Sequence, residues 1–323
     1  MLKKIVITLF CLLGVIVFLY SKDIGVTPSL PTYEDHVELD ENSLLKEHLI
    51  DDSLIISYVD YGQIFEEGWY DLAKPLFWKT IMRLSEDSCV INIGNTREII
   101  AYFAVKEWNK KTDDQKDKYR DSIRNSRNLD ASTRIFMTIG KKNFYTYDNI
   151  LMDISQGTKV FHDEGVDPWY AQAILMIESP GKLAKSSVGA YGPFQLMPGV
   201  ARNMGLIVNK YQDDRKDFTK SAIGSSRLIA RICIPEAKKI LDDRGICYKE
   251  TDLWFRLFVL HVYHAGAANV AAVVREIGPE DGGMELIQQM WTTKASKFGN
   301  ASQNYSQLAL AATLILDEIL WGC

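Results

Sequence analysis

Glu178 closes the apolar run Ala173-Ile174-Leu175-Met176-Ile177, and a Gly/Ser-rich stretch, Ser186-Ser187-Val188-Gly189-Ala190-Tyr191-Gly192, follows a few residues later. A carboxyl at the end of a buried helix is how a general acid can be built. Asp167-Pro168 reads as N-cap and first helical position, because proline there gives up only an N–H that has no partner within the helix. The helix expected from Trp169 to Ser179 stops at Pro180-Gly181 and is apolar around most of its circumference, which predicts burial. Glu178 then falls in its last turn. Desolvation and the negative end of the helix dipole both disfavour a charged carboxylate there. Both raise the pKa, as a general acid at neutral pH requires. Position alone leaves a second reading open: a salt-bridged or exposed glutamate at a frayed helix end.

The neighbouring residues suit a sugar substrate. Ser186 and Gln195 are short neutral hydrogen-bonders that can meet hydroxyl and N-acetyl groups without adding charge beside the acid. Tyr263 and Tyr305 each offer an apolar face and a hydroxyl, fit to stack on a pyranose ring or to steer the acid. The glycines of the turn allow close backbone approach to a ligand or positive φ. Taken singly, each of these residues also has a purely structural reading as core or turn; their joint order carries the argument.

That joint order, Glu178-Ser179 followed by Ala184-x-Ser186-x-x-Gly189-Ala190-x-Gly192-x-x-Gln195-Leu196-Met197-Pro198, resembles the signature of the soluble-lytic-transglycosylase-like family. Ala201-Arg202-Asn203-Met204-Gly205-Leu206 and Asp214-Arg215-Lys216-Asp217 are similar to its membrane-bound type D branch. Val262-Tyr263-His264-Ala265-Gly266 is similar to the family's Ala-Tyr-Asn-Ala-Gly element, and Tyr305 sits where the family has a tyrosine facing the cleft. The resemblance covers roughly residues 165 to 315. It implies a lysozyme-like α-helical fold and cleavage of the β-1,4 bond between N-acetylmuramic acid and N-acetylglucosamine in peptidoglycan. Glu178 would serve as acid and then base, with Ser186, Phe194, Gln195, Tyr263 and Tyr305 on the substrate side. The ending it implies is a 1,6-anhydro ring closed by the muramic acid C6 hydroxyl. The chain departs from the pattern in a segment before Ala184 one residue shorter than usual, in Pro193-Phe194, and in His264 where asparagine is common.

A hydrolase normally needs a second carboxylate, and none lies between Gly181 and Met204. A lysozyme-type muramidase would have to draw one from the N-terminal half, such as Asp148 or Asp153. A non-catalytic glycan-binding protein on the same fold is the third reading.

The elements that must position these groups make up a mainly α chain. Its 323 residues carry a net charge of −5 and are 47% hydrophobic. That is enough for a well-buried core, and the charge argues against nucleic acid as a main partner. The cysteines form no C-x-x-C pair and the histidines show no zinc-type spacing, so neither metal nor cofactor is expected.

Lys3 and Lys4 precede an apolar run from Ile5 to Tyr20, which reads as a signal anchor or cleaved signal in residues 1–22, with the body exported to the periplasm. Residues 23–67 are acidic and read as a tether. Residues 68–160 read as a mostly helical region of unknown role, with one helix from Thr96 through Trp108 and either a short strand or more helix from Thr133 to Thr138. Residues 161–323 read as the lysozyme-like catalytic domain, with helices over Ser221–Leu241, Leu253–Glu276 and Tyr305–Leu320. No separate glycan-binding repeat is expected after it. Cys233 and Cys247 are placed to pair in an oxidising compartment or to stay as two buried thiols.

Overall fold

The computed structural model describes residues 45–50, 54–60, 62–147, 150–178 and 185–322. The N-terminal segment read as a signal anchor lies outside them. No helix among the described residues is long and apolar enough to cross a membrane.

In chain order the elements are β1 (Leu45–Ile50), β2 (Leu54–Val59), α1 (Gln63–Glu66), α2 (Ala73–Arg83), β3 (Ser88–Ile93), β4 (Ile99–Ala104), α3 (Val105–Lys110), α4 (Asp113–Ser126) and β5 (Ile135–Ile139). The second half is helical: α5 (Leu151–Asp163), α6 (Trp169–Glu178), α7 (Pro198–Asn203), α8 (Phe218–Leu228), α9 (Ile234–Asp242), α10 (Leu253–Ala265), α11 (Ala267–Ile277), α12 (Met284–Met290) and α13 (Asn300–Trp321). The mainly α architecture expected from the sequence is what forms.

Three expectations for the N-terminal half need correction. The acidic stretch read as a tether is folded from Leu45 onward: β1 and β2 pair antiparallel, and Ile56, Tyr58 and Val59 are buried in the main core. The edge of β2 is satisfied by helix side chains. Gln172 accepts the Val59 N–H at 2.9 Å and returns its amide to the Val59 carbonyl at 3.0 Å, while Ser155 accepts the Ser57 N–H at 2.9 Å. A strand whose backbone is paired in this way is part of the body, since buried amides must find partners.

The helix expected from Thr96 through Trp108 is instead a turn, the strand β4 and the short helix α3. Ile99, Ile100, Tyr102 and Phe103 are β-branched or aromatic, and they pair with β3 in the three-stranded order β4-β3-β5. Strand pairing overrides a spacing of 101, 105 and 108 that also fits a helix. The stretch from Thr133 resolves to the strand alternative, β5. The charge run after Lys110 is the solvated helix α4, closed by a capping box in which Thr112 accepts the Gln115 N–H.

The third correction concerns the boundary at residue 160. One hydrophobic cluster runs from Ile56 to Leu320 across it, and α5 spans it. A small second core of Cys89, Ile91, Ile93, Trp108, Ile123 and Ile135 fills the outer face of the three-stranded sheet. Val90, on the alternate face of β3, joins the main core, so this central strand is buried on both faces.

In the helical half, the expected helix over Ser221–Leu241 is α8 and α9 joined through a π-helical turn at Ile229–Cys233. Pro235 follows it and lacks the N–H its i−4 carbonyl would need, a common setting for such a turn. The helix expected over Leu253–Glu276 is broken at Gly266, whose φ of 80° ends α10 before α11 begins. Cys233 is a buried free thiol and Cys247 an exposed one. They do not pair, and only one of the two is buried.

Candidate functional site

α6 begins as the sequence suggested. Asp167 accepts the Trp169 N–H at 2.9 Å, and its other carboxylate oxygen meets the buried Arg256 guanidinium of α10 at 2.5 Å. Residues Trp169 to Ile177 are all buried between α5, α13 and β2. Glu178, the last residue, is only partly exposed. Burial raises its pKa from 4.5 to about 7, with the hydrogen bond from Tyr305 pulling the other way. A margin of this residue is open to solvent, whereas its carboxyl is enclosed by protein. Both hold for an acid that is desolvated yet reachable from one side.

Tyr305 is fully buried in α13 and donates its hydroxyl to Glu178 Oε1 at 2.9 Å. Its ring stacks on His264 with centroids 4.3 Å apart. His264, the departure noted above, is buried, and burial lowers its pKa to about 4. It is therefore a neutral ring at physiological pH that fixes the tyrosine plane. Tyr305 thus holds Oε1 of Glu178 through its hydroxyl, while its ring is spent on His264 and is not free to stack on a sugar.

The turn after α6 is held from three sides. Ser186 Oγ accepts the Ala190 N–H at 2.9 Å, and the Ser186 N–H donates to the Ala190 carbonyl at 2.8 Å. Tyr191 and Leu196 exchange backbone hydrogen bonds at 3.2 Å each. Gly192 has φ 84°, and a Cβ there would fall 1.9 Å from the carbonyl oxygen of Arg215. Only glycine fits. Arg215 itself is buried, donates to the Gly189 and Leu196 carbonyls at 2.8 and 2.9 Å, and is gripped bidentately by Asp213 at 2.8 and 2.7 Å. This fork geometry suits arginine alone. The Asp214-Arg215-Lys216-Asp217 block thus serves as a brace for the turn.

The other expected site residues divide. Gln195 is partly exposed with φ 46°, and its amide nitrogen donates to the Gly192 carbonyl at 2.9 Å. It stands on the turn in a left-handed conformation that a non-glycine side chain adopts only when its surroundings impose it. Phe194 is fully buried and packs against Phe161 and Phe218 at 5.6 and 5.9 Å. Its side chain belongs to the core, which corrects its assignment to the substrate side. Tyr263 is buried as well. Its hydroxyl donates to the Phe194 carbonyl at 2.5 Å and lies 3.4 Å from Ser225 Oγ. It fastens the turn to α10 and presents no free face for stacking.

Tyr145 is a residue that no sequence signal marked. Its hydroxyl is buried without a hydrogen-bond partner among the described residues, and its pKa is raised by burial and then by the Glu178 charge. It comes from the loop after β5, and only the fold brings it within electrostatic reach of the acid. Asp148, one of the two candidate second carboxylates, lies outside the described residues, as do 179–184. Asp153 on α5 is half-buried, and its pKa is raised by burial alone.

The arrangement is one desolvated carboxyl, hydrogen-bonded by Tyr305 and within electrostatic reach of Tyr263, which is fastened to a glycine turn held rigid by a buried arginine. It can hold a proton near neutrality, deliver it to an oxygen, and take one back. Residues 159–281 match the family model for the transglycosylase SLT domain. That match contains Glu178, the braced turn and Tyr263, while Tyr305 lies beyond it. No curated protein matches the chain.

Proposed function

We propose, on the match of residues 159–281 to the transglycosylase SLT domain, a lysozyme-like family that cleaves peptidoglycan, that Glu178 is the acid and base of a lytic cleavage between N-acetylmuramic acid and N-acetylglucosamine. The observation that carries the proposal is the carboxyl of Glu178, desolvated at a helix end and held by Tyr305. With Oε1 engaged by the tyrosine, the proton sits on the second oxygen, which faces the substrate. Protonation of the glycosidic oxygen breaks its bond to C1 and leaves an oxocarbenium-like sugar. The C6 hydroxyl of the same sugar attacks C1, and Glu178, now a carboxylate, takes the hydroxyl proton. No water is consumed and the acid is regenerated. The substrate's N-acetyl group helps to stabilise the cation.

One feature favours this ending over hydrolysis. The raised pKa of Glu178 has burial as its cause, and among the described residues no neighbouring carboxylate contributes to it. Hydrolysis requires such a partner within about 5–10 Å. The proposal includes export: Lys3-Lys4 and the apolar run after them would deliver the chain to the periplasm and anchor it at the membrane, where peptidoglycan lies. The experiment is digestion of purified peptidoglycan by wild type beside Glu178→Gln. Soluble muropeptides from wild type, reduced at least about 1,000-fold in the variant, are expected for loss of a general acid that also serves as base. Equal release by both proteins would remove Glu178 from the chemistry.

A further inference from the structure

A second concave site lies outside the matched domain. A cleft of about 650 Å³ opens between the β3–β4 turn, the start of β5, α2 and the N-terminal half of α13. Four cations line it, Lys74, Arg97, Arg134 and Lys294, and among the described residues no carboxylate does. In a chain of net charge −5 that is a local reversal of sign. None of the four makes an ion pair among the described residues.

The two inner cations are held in place by rings instead of counter-ions. Arg97 lies 5.3 Å from the Phe77 ring centroid, 5.7 Å from Trp78 and 5.9 Å from Phe136, and Lys74 lies 5.6 Å from the Trp291 ring. Both are partly buried, and the charge of Arg97 adds to burial in lowering the pKa of Lys74. Two half-buried like charges without an anion are unfavourable. Arg97 also has φ 65°, a left-handed conformation in a turn where glycine would be ordinary. An arginine in a strained turn, desolvated over three rings and without a counter-ion among the described residues, marks a place prepared for an anion.

We propose that this cleft binds the carboxylates of the peptide stem carried by the glycan strand. The inference rests on the reading of the chain as a peptidoglycan-cleaving enzyme, because the stem is the acidic part of that substrate. The volume is in the range of small-ligand sites. The amides of Gln303, Asn304 and Gln307 on α13 are engaged with protein partners, so the cations are the groups that would recognise the ligand. The cleft and the acid share that helix: Tyr305 donates to Glu178, and the preceding residue, Asn304, accepts from Arg97 at 3.5 Å. A stem seated here would register its strand against the acid through one rigid element.

The test uses the full chain carrying Glu178→Gln, so that binding is read without turnover. A synthetic stem peptide containing D-glutamate and diaminopimelate is titrated by calorimetry, beside the same peptide with its carboxylates amidated, and with inorganic phosphate as competitor. The peptide is expected to bind, the amidated peptide not to bind, and phosphate to compete only weakly. Lys74→Gln should weaken peptide binding by about tenfold. Arg134→Gln and Lys294→Gln, both at exposed positions, should each weaken it without risk to folding. No binding, equal binding of the amidated peptide, or full displacement by an equal concentration of phosphate would each overturn the proposal. Wild type and Lys74→Gln, both with Glu178 intact, are then compared on strands with and without stems. A rise in KM confined to stem-bearing strands is expected. Equal cleavage of both strands by both proteins would overturn the cleft and leave the lytic activity standing. Cleavage of neither strand by wild type would overturn the activity, and the peptide titration would still decide whether the cleft binds acidic peptide.

Discussion

Keeping a carboxyl protonated near neutrality costs the folded protein stability, and the cost depends on pH in a way that Glu178→Gln should expose. In the folded chain burial raises Glu178 from 4.5 to about 7, so the folded state holds the proton more tightly than the unfolded state. Below about pH 4.5 both states are protonated and the residue is neutral in its effect. As pH rises the unfolded chain ionises first, and stability is lost until the folded carboxyl also ionises near pH 7. At about 1.36 kcal/mol per pH unit the full loss is about 3 kcal/mol. Gln keeps the shape and an oxygen for Tyr305 but never ionises. Urea unfolding of the two proteins should therefore agree to within a few tenths of a kcal/mol at pH 4.5, and the variant should be about 3 kcal/mol more stable at pH 8.5. Other titrating groups are common to both proteins and cancel. A difference that is the same at the two pH values would refute the desolvated acid, whatever its size.

Further outcomes follow from the same contacts. Tyr305→Phe removes the hydrogen bond that favours the ionised acid, so the alkaline limb of kcat/KM, near pH 7 in wild type, should move up by about one pH unit. A limb that stays in place or moves down would contradict the steering role. Gly192→Ala, which drives a Cβ into the Arg215 carbonyl, should cost more than about 3 kcal/mol in urea unfolding. Gly189→Ala, at φ 95° in open space, should cost about 1 kcal/mol. Equal losses would mean that the turn is not braced as described. Tyr263→Phe leaves the Phe194 carbonyl without its partner, and should cost about 1–3 kcal/mol. In thiol-labelling mass spectrometry Cys247 should react in the native protein and Cys233 only after unfolding.

The site was more legible in the sequence than its surroundings. The Asp167 cap, the apolar helix and the terminal Glu178 are local features whose consequence, a raised pKa, needs only burial to follow. The glycine turn was equally visible, and its rigidity was written in the Asp213-Arg215 pair, although a bidentate clamp on two carbonyls 19 and 26 residues away in sequence has no local signature. Phe194 and Tyr263 were assigned to the substrate because an aromatic beside an acid reads the same whether it faces the cleft or the core; burial decides that, and burial is a tertiary property. The N-terminal half was misread for a related reason. Ile99 to Ala104 carry spacings compatible with helix and with strand, and pairing with β3 made the choice. Arg97 and Tyr145 act through neighbours contributed by distant elements, so nothing in their own segments distinguishes them.

The most direct test of the account is digestion of peptidoglycan by the wild-type enzyme in heavy-oxygen water, with mass spectrometry of the muropeptides. If Glu178 passes the proton back from the C6 hydroxyl, the new ends are 1,6-anhydro sugars that carry no solvent oxygen. Reducing ends labelled with heavy oxygen would show that water attacked C1, and would contradict the single-carboxyl mechanism.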